Sequence, residues 1–451
     1  MNIWKSLERI DGYLPIEDHG LIGDGATAAL VGRDGGLSWL CVPRFDSPPL
    51  FCSLLDAARG GGFTVTPEGL LESRQFYEPD TAVLVTEMRS RSGVLRLTDF
   101  CPLIAGANLS DHLPATRNEI VRSVKVLEGS VRLLIHIEPR GGGELVLDGE
   151  WVRIKWNLQP YCCLYLGSTI PLKGSNTSVT LKKEQSVHFL LSWRRSHVQP
   201  SHLEPIRLYE DTVAVWLNWL RNLKYRGPQE SLVRRSAITI KLLDHLENGA
   251  IVAAPTSSLP ELIGGPRNWD YRYAWVRDAA FSVYALHRVG LSHEAAGFLG
   301  WVLDAVERDG RPKVMYDLDG RMPLKEWEDA ELEGYRRSRP VRWGNAAAAQ
   351  HQHDVYGEIL DCAYQWAAHH GNIPDRLWNH LRKLSDVAAD KWREPDHGIW
   401  EVRTSGRPFT YSAALCHVAV DRAARMAERF RLPGPYEHWK RKADEIGQAI
   451  L

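Results

Sequence analysis

The hydrophobic period changes midway along this chain, from two residues to about 3.6, and that change dictates β-structure first and helices after it. The first half carries short apolar runs bounded by turn residues. Runs at 28–32 and 37–42 flank Arg33-Asp34-Gly35-Gly36, and runs at 82–88 and 94–100 flank Arg89-Ser90-Arg91-Ser92-Gly93. Further pairs lie at 119–127 and 131–138 around Glu128-Gly129-Ser130, and at 145–147 and 151–156 around Asp148-Gly149-Glu150. Segments 161–166, 179–182 and 187–193 complete the set. Short strands at hairpin spacing predict an antiparallel sandwich.

The second half repeats its apolar residues at helical spacing. Val233, Ala237, Ile240 and Leu243 mark a helix over 230–247, and a second is expected over 275–289. Ser292 can cap a third, whose Phe298, Trp301, Val302, Ala305 and Val306 share a face. A fourth over 354–367 aligns Val355, Ile359, Cys362, Ala363 and Trp366; others follow at 377–392, 411–430 and 436–450. The loop 309–353 shows no helical pattern, and loops of that length are usually functional. The polar stretch 196–209, with Pro200 and Pro205, reads as a junction, and 210–223 as a bridging helix. The expected domains are therefore a β-sandwich over 1–209, a linker helix over 210–228 and a helical domain over 229–451. Trp439, Ala443, Ile446 and Ile450 are still in phase where the sequence stops at Leu451, with no Gly cap, which predicts a fragment of a longer protein.

Composition narrows the function. Lys and Arg number 55 against 56 Asp and Glu, a balance that argues against nucleic acid or a membrane surface as partner. No apolar run is long enough for a bilayer span or a signal segment, so a cytoplasmic location is expected. The 7 Cys are odd in number and lack CxxC spacing, which fits reduced thiols. The 17 Trp residues serve either a large core or aromatic walls for sugar rings.

Three clusters could carry chemistry. The stretch Arg267 to Asp278 sets Trp269, Tyr271, Tyr273 and Trp275 beside Asp270, Asp278 and three Arg at the start of a helix. Flat aromatic faces with bidentate carboxylate and guanidinium groups suit a sugar ring and its hydroxyls. A charged helix N-terminus explains the same residues. The second cluster, Gly334 to Asn345, holds four Arg without a phosphate-binding Gly pattern, and a solvated basic loop accounts for it equally. His351 and His353 lack a third ligand nearby, so no metal is expected. In the third cluster Glu401 follows Gly398 and Trp400. A carboxyl beside an indole is partly desolvated, as a general acid needs to be, though alone it reads more readily as a surface carboxylate.

Together these clusters resemble glycoside hydrolase family 15, the glucoamylase and trehalase family. The resemblance rests on NWDYRYAWVRDAAF, VMYDLDG, EGYRRSRPVRWGNAAAAQHQHDVYGEILD and GIWEVR…FTYS, in that order. In the first half it rests on LIGDGATAALVGRDGGLSWLCVPRFDSPPLF and QFYEPDTAVLVTEMRSRSGVLRLTDFCPL. It implies an N-terminal antiparallel β-supersandwich followed by an (α/α)6 toroid, incomplete in this chain. It implies an inverting, exo-acting hydrolase that cleaves α-glucosidic bonds of an α-glucoside or α-glucan to release glucose, with no cofactor.

Residue by residue, Trp275, Arg277 and Asp278 fall on the Trp-x-Arg-Asp motif that holds the non-reducing glucosyl unit. Trp343 falls on an aromatic wall of the pocket, and Trp400 and Glu401 on the Trp-Glu motif of the general acid. Val402 stands where glucoamylases often have a second Glu, and Pro139-Arg140-Gly141-Gly142-Gly143 replaces a common Arg-Phe-x-Tyr element. The family's catalytic base lies before the last barrel helix and is expected beyond Leu451. The alternative reading is a carbohydrate-binding fragment that lacks the base.

Overall fold

The computed structural model describes residues 3–148, 150–156, 158–159, 162–194, 203–323 and 325–451. The chain divides into two compact units. The first comprises Met1–Glu247, Ala254–Arg272 and Trp327–Trp343; the second comprises Asn248–Ala253, Tyr273–Glu326 and Gly344–Leu451. The expected junction at 196–209 lies partly outside the described residues.

Among the described residues of the first unit, 15 strands form one hydrogen-bonded antiparallel sheet that folds over into two layers. The pivot is the strand Glu119–Glu138. Its first half pairs with Gly93–Phe100 and Ser186–Arg194, and its second half with Gly62–Pro67 and Asn176–Lys182. The sequence reading placed a hairpin turn at Glu128-Gly129-Ser130; instead the strand runs on and changes layer there. Gly129 has φ of 74°, and a Cβ at that position would sit 2.1 Å from the Ser92 carbonyl oxygen. Only glycine fits that bend, with the bulge beside it. The strand Leu70–Tyr77 escaped the sequence reading because its pattern is mostly polar and only half-buried.

The core between the layers joins Val31, Leu37, Phe63, Val65 and Leu133 to Leu95, Leu97, Val124, Phe189 and Leu191. A fully buried ion pair crosses it. Arg122 Nε donates to Asp99 Oδ1 at 2.8 Å, Nη2 donates to the Gly35 carbonyl at 2.8 Å, and Nη1 reaches the Phe63 carbonyl. Helix α1 (Pro205–Leu220) lays Leu208 against Phe100, Val121 and Tyr165 of the sheet. Helix α2 (Glu230–Lys241) stops short of the expected 247, where the Lys241 ammonium turns to Asp244 Oδ2 at 2.7 Å.

The second unit is helical: α3 (Val276–Arg288), α4 (His293–Asp309), α5 (Asp354–His370), α6 (Asp375–Lys391), α7 (Thr410–Phe430) and α8 (Tyr436–Ile450). Helices α3, α5 and α7 stand side by side in one layer, and α4, α6 and α8 form a second layer behind them. The faces are those the periodicity marks: α5 buries Val355, Ile359, Cys362 and Ala363. Between α6 and α8 the rings of Trp378 and Trp439 meet edge to face at 5.8 Å. Several of the tryptophans are therefore core residues, Trp39, Trp193 and Trp219 among them. No helix among the described residues is long and apolar enough to cross a membrane.

Candidate active site

The site is built where α3 and α5 begin. A two-residue strand, Ala274–Trp275, pairs with Met315–Tyr316, so the VMYDLDG segment fixes the entry to α3. Trp275 is the extended residue before the helix, with ψ of 131°, and its side chain is buried. Its indole Nε1 donates to Oε1 of Glu401 at 2.7 Å. This bond braces the Glu401 carboxyl.

Arg277 lies on the first turn of α3. Its Nη1 donates to Asp354 Oδ2 at 2.9 Å and to Gln352 Oε1 at 3.2 Å, and its Nη2 stands 3.6 Å from Glu401 Oε1. Asp354 opens α5 and is fully buried, so the guanidinium is its compensating charge. Asp278 is exposed on the same turn; desolvation by the protein around it raises its carboxyl pKa, and Arg277 acts against that rise.

Glu401 rides on a loop closed by reciprocal backbone bonds between Asp396 and Arg407, at 3.1 and 2.8 Å. Asp396 anchors the loop: its Oδ2 accepts from Ser412 Oγ at 2.7 Å and from the His353 amide at 2.8 Å. Inside the loop Gly398 has φ of 60°, and a Cβ there would lie 2.7 Å from the Phe409 ring. Glu401 itself has φ of 50°, in the left-handed region that is uncommon for a residue with a Cβ. Burial raises its pKa, with Trp275, Arg277, Gln352 and Arg403 acting in the opposite sense. Trp400, next to it, is 79% exposed.

Of the expected residues, the second unit thus brings together Trp275, Arg277, Asp278 and Glu401, with Trp400 displayed on the Glu401 loop. Trp343 belongs to the first unit and is buried there. Its ring stacks on Trp39 at 6.3 Å, the guanidiniums of Arg140 and Arg272 lie over it, and its Nε1 donates to Asp329 Oδ2 at 2.9 Å. Among the described residues no group of three or more His, Cys, Asp or Glu stands so as to hold a metal ion.

Asp354, Glu358, Gln350 and Gln352 went unread in the sequence. Burial pushes Glu358 up to about 7, and it accepts from the Tyr411 hydroxyl at 2.9 Å. One signal was available: Asp354 and Glu358 are spaced i, i+4 within the apolar pattern of α5, where two solvated carboxylates have no place.

Residues 227–450 match the family described as Glycosyl hydrolases family 15, and residues 10–144 match a trehalase-like N-terminal domain. The chain is 33% identical over 454 residues to a trehalase of Thermoplasma volcanium, spanning 98% of this chain and 71% of that one. It is 33% identical over 468 residues to a trehalase of Mycobacterium tuberculosis, spanning 97% of this chain and 69% of the relative. A bacterial glucoamylase solved in complex with acarbose shares the fold, with a TM-score of 0.65 at 14% identity, over 99% of this chain and 67% of that one. With a half-buried carboxyl braced by an indole and a guanidinium, these matches define a glycoside hydrolase. The chain belongs to glycosyl hydrolase family 15.

Proposed function

We propose that the chain cleaves α-glucosidic bonds at the non-reducing end, with inversion, and that trehalose is its substrate. The observation that carries this reading is Glu401: a carboxyl raised by burial, held by Trp275 and 3.6 Å from the Arg277 guanidinium. Burial shifts that carboxyl toward its protonated form, the direction that donation to a glycosidic oxygen requires. The relatives named as trehalases support the substrate. The helix pairs, wound in two layers, support an (α/α)6 toroid.

In this reading Glu401 protonates the leaving oxygen, Arg277 and Asp278 hold sugar hydroxyls, and the exposed face of Trp400 receives the leaving sugar. Inversion needs a second carboxylate to activate water. Asp354 and Glu358 are engaged by Arg277 and Tyr411, which leaves that role to another carboxylate.

The test is glucose release from trehalose, maltose and isomaltose, with the anomers followed by NMR and Glu401→Gln in parallel. Inverting cleavage of trehalose gives one α- and one β-glucose at first. Turnover of Glu401→Gln close to the parent rate removes Glu401 from the role of acid.

A further inference from the structure

In the segment Gln350-His351-Gln352-His353 the glutamines carry the geometry. Gln350 is extended, with φ of −72° and ψ of 161°, and residues at alternate positions of an extended chain share a side. Gln350 and Gln352 meet accordingly: Gln352 Nε2 donates to Gln350 Oε1 at 3.1 Å. Gln350 Nε2 in turn donates to two backbone carbonyls, those of Glu401 and Val402, at 3.2 Å each. At the other end Gln352 Oε1 accepts from Arg277 Nη1 at 3.2 Å, and the same amide hydrogen-bonds the Glu401 carboxylate.

The direction of this relay is forced. Arginine has donors only, so the oxygen of Gln352 must face Arg277. Its two N–H groups are then left for the Gln350 oxygen and the Glu401 carboxylate. With its oxygen so engaged, Gln350 turns its own N–H groups to the two carbonyls. No amide in the series can flip without placing oxygen against oxygen or N–H against guanidinium. The chain it grips is the one that needs gripping, because a non-glycine residue at φ of 50° persists only where its surroundings hold it. The backbone of the same stretch also makes local bonds, from Glu401 N to Gly398 O at 3.1 Å and from Val402 N to His397 O at 3.3 Å.

We propose that Gln352 and Gln350 are positioning residues for the general acid, tying the backbone of Glu401 to Arg277 so that the sugar clamp and the proton donor keep one register. This rests on Glu401 being the acid. Neither glutamine exchanges a proton. Their effect is on where the Glu401 carboxyl stands relative to the leaving oxygen, and an error of about 1 Å there can cost about 10²-fold in rate.

The experiment compares the parent chain with Gln350→Leu and Gln350→Glu on trehalose and on α-glucosyl fluoride, whose fluoride leaves with little need of a proton. Gln350→Leu is expected to lose on the order of 10²-fold in kcat on trehalose, with KM and the fluoride rate within about threefold of the parent. Gln350→Glu sets a carboxylate against two carbonyl oxygens at neutral pH. Once protonated it donates one hydrogen bond, so its trehalose activity relative to the parent recovers as pH falls. Equal losses on both substrates, or full trehalose activity in Gln350→Leu, overturn the proposal. Glu401→Gln run alongside separates the two ideas: if it keeps trehalose turnover the acid assignment itself fails, and if it loses turnover while Gln350→Leu does not, only the positioning role fails. A readout independent of turnover is the 15N–1H resonance of the Trp275 indole, which reports ionisation of Glu401 through their hydrogen bond. Its pH midpoint moves in Gln350→Leu if the relay holds the acid, and an unchanged titration contradicts the proposal.

Discussion

Trp275 donates its indole N–H to Oε1 of Glu401 across 2.7 Å, joining the start of α3 to a loop 126 residues later in the chain. The bond favours the charged carboxylate, so it opposes the rise that burial imposes on Glu401. Trp275→Phe keeps the ring's bulk and removes the donor. The pKa of Glu401 then rises further, and the high-pH limb of the kcat/KM profile, where the acid loses its proton, moves upward. A loss of about tenfold in kcat at neutral pH is expected from the misplaced carboxyl. A pH–rate profile on trehalose checks both, and an unmoved limb contradicts the role given to the bond.

Glu358 makes the folded state less stable as pH rises toward neutrality. Its folded pKa is raised from 4.5 to about 7, so between those values the folded state binds more protons than the unfolded one. Stability therefore falls as pH rises through that window, by up to about 3 kcal/mol from this group. Glu358→Gln keeps an acceptor for Tyr411 and removes the titration. Urea unfolding at pH 5 and pH 8 is expected to show the variant gaining on the parent at the higher pH, with little difference at the lower.

The Arg122–Asp99 pair is fully buried inside the sandwich and ties both layers through the Gly35 and Phe63 carbonyls. Arg122→Met leaves Asp99 as a lone buried carboxylate and is expected to cost about 3–5 kcal/mol. The double variant Arg122→Met/Asp99→Leu removes the stranded charge and recovers much of that loss. Denaturant midpoints of the two variants measure it, and equal midpoints would mean that the charge is not the cause.

Gly398→Ala tests the Glu401 loop apart from the fold. The new Cβ meets the Phe409 ring at 2.7 Å on a backbone with φ of 60°. The loop has to shift, and Glu401 with it. Activity on trehalose is expected to fall at least tenfold, of the order that misplacing a catalytic group brings, while the melting temperature moves by only a few degrees.

Much of this protein lay open in its sequence. The helices of the second unit fall where the 3.6-residue period puts them, because a helix that buries one face must repeat its apolar residues at that interval. The strands bounded by Gly and Asp turns fall close to their expected places for the matching reason at period two. The motif around Trp275, Arg277 and Glu401 was legible as a family resemblance, and residues 227–450 match that family.

Tertiary structure alone decided the rest. A glycine inside 119–138 reads as a turn until two separate layers are seen to need one strand, and then Gly129 is the bend between them. That the indole N–H of Trp275 lies on Glu401 is likewise visible only in the fold. Gln350 and Gln352 carry no signal in one dimension, because an amide's meaning lies in what it faces: Arg277 on one side and the backbone of residues 401 and 402 on the other. The local pattern fixes which face of each element is apolar. The partners of a polar group are brought together only when distant segments close on one another, and so the sequence singled out Glu401 while the fold determined what holds it in place.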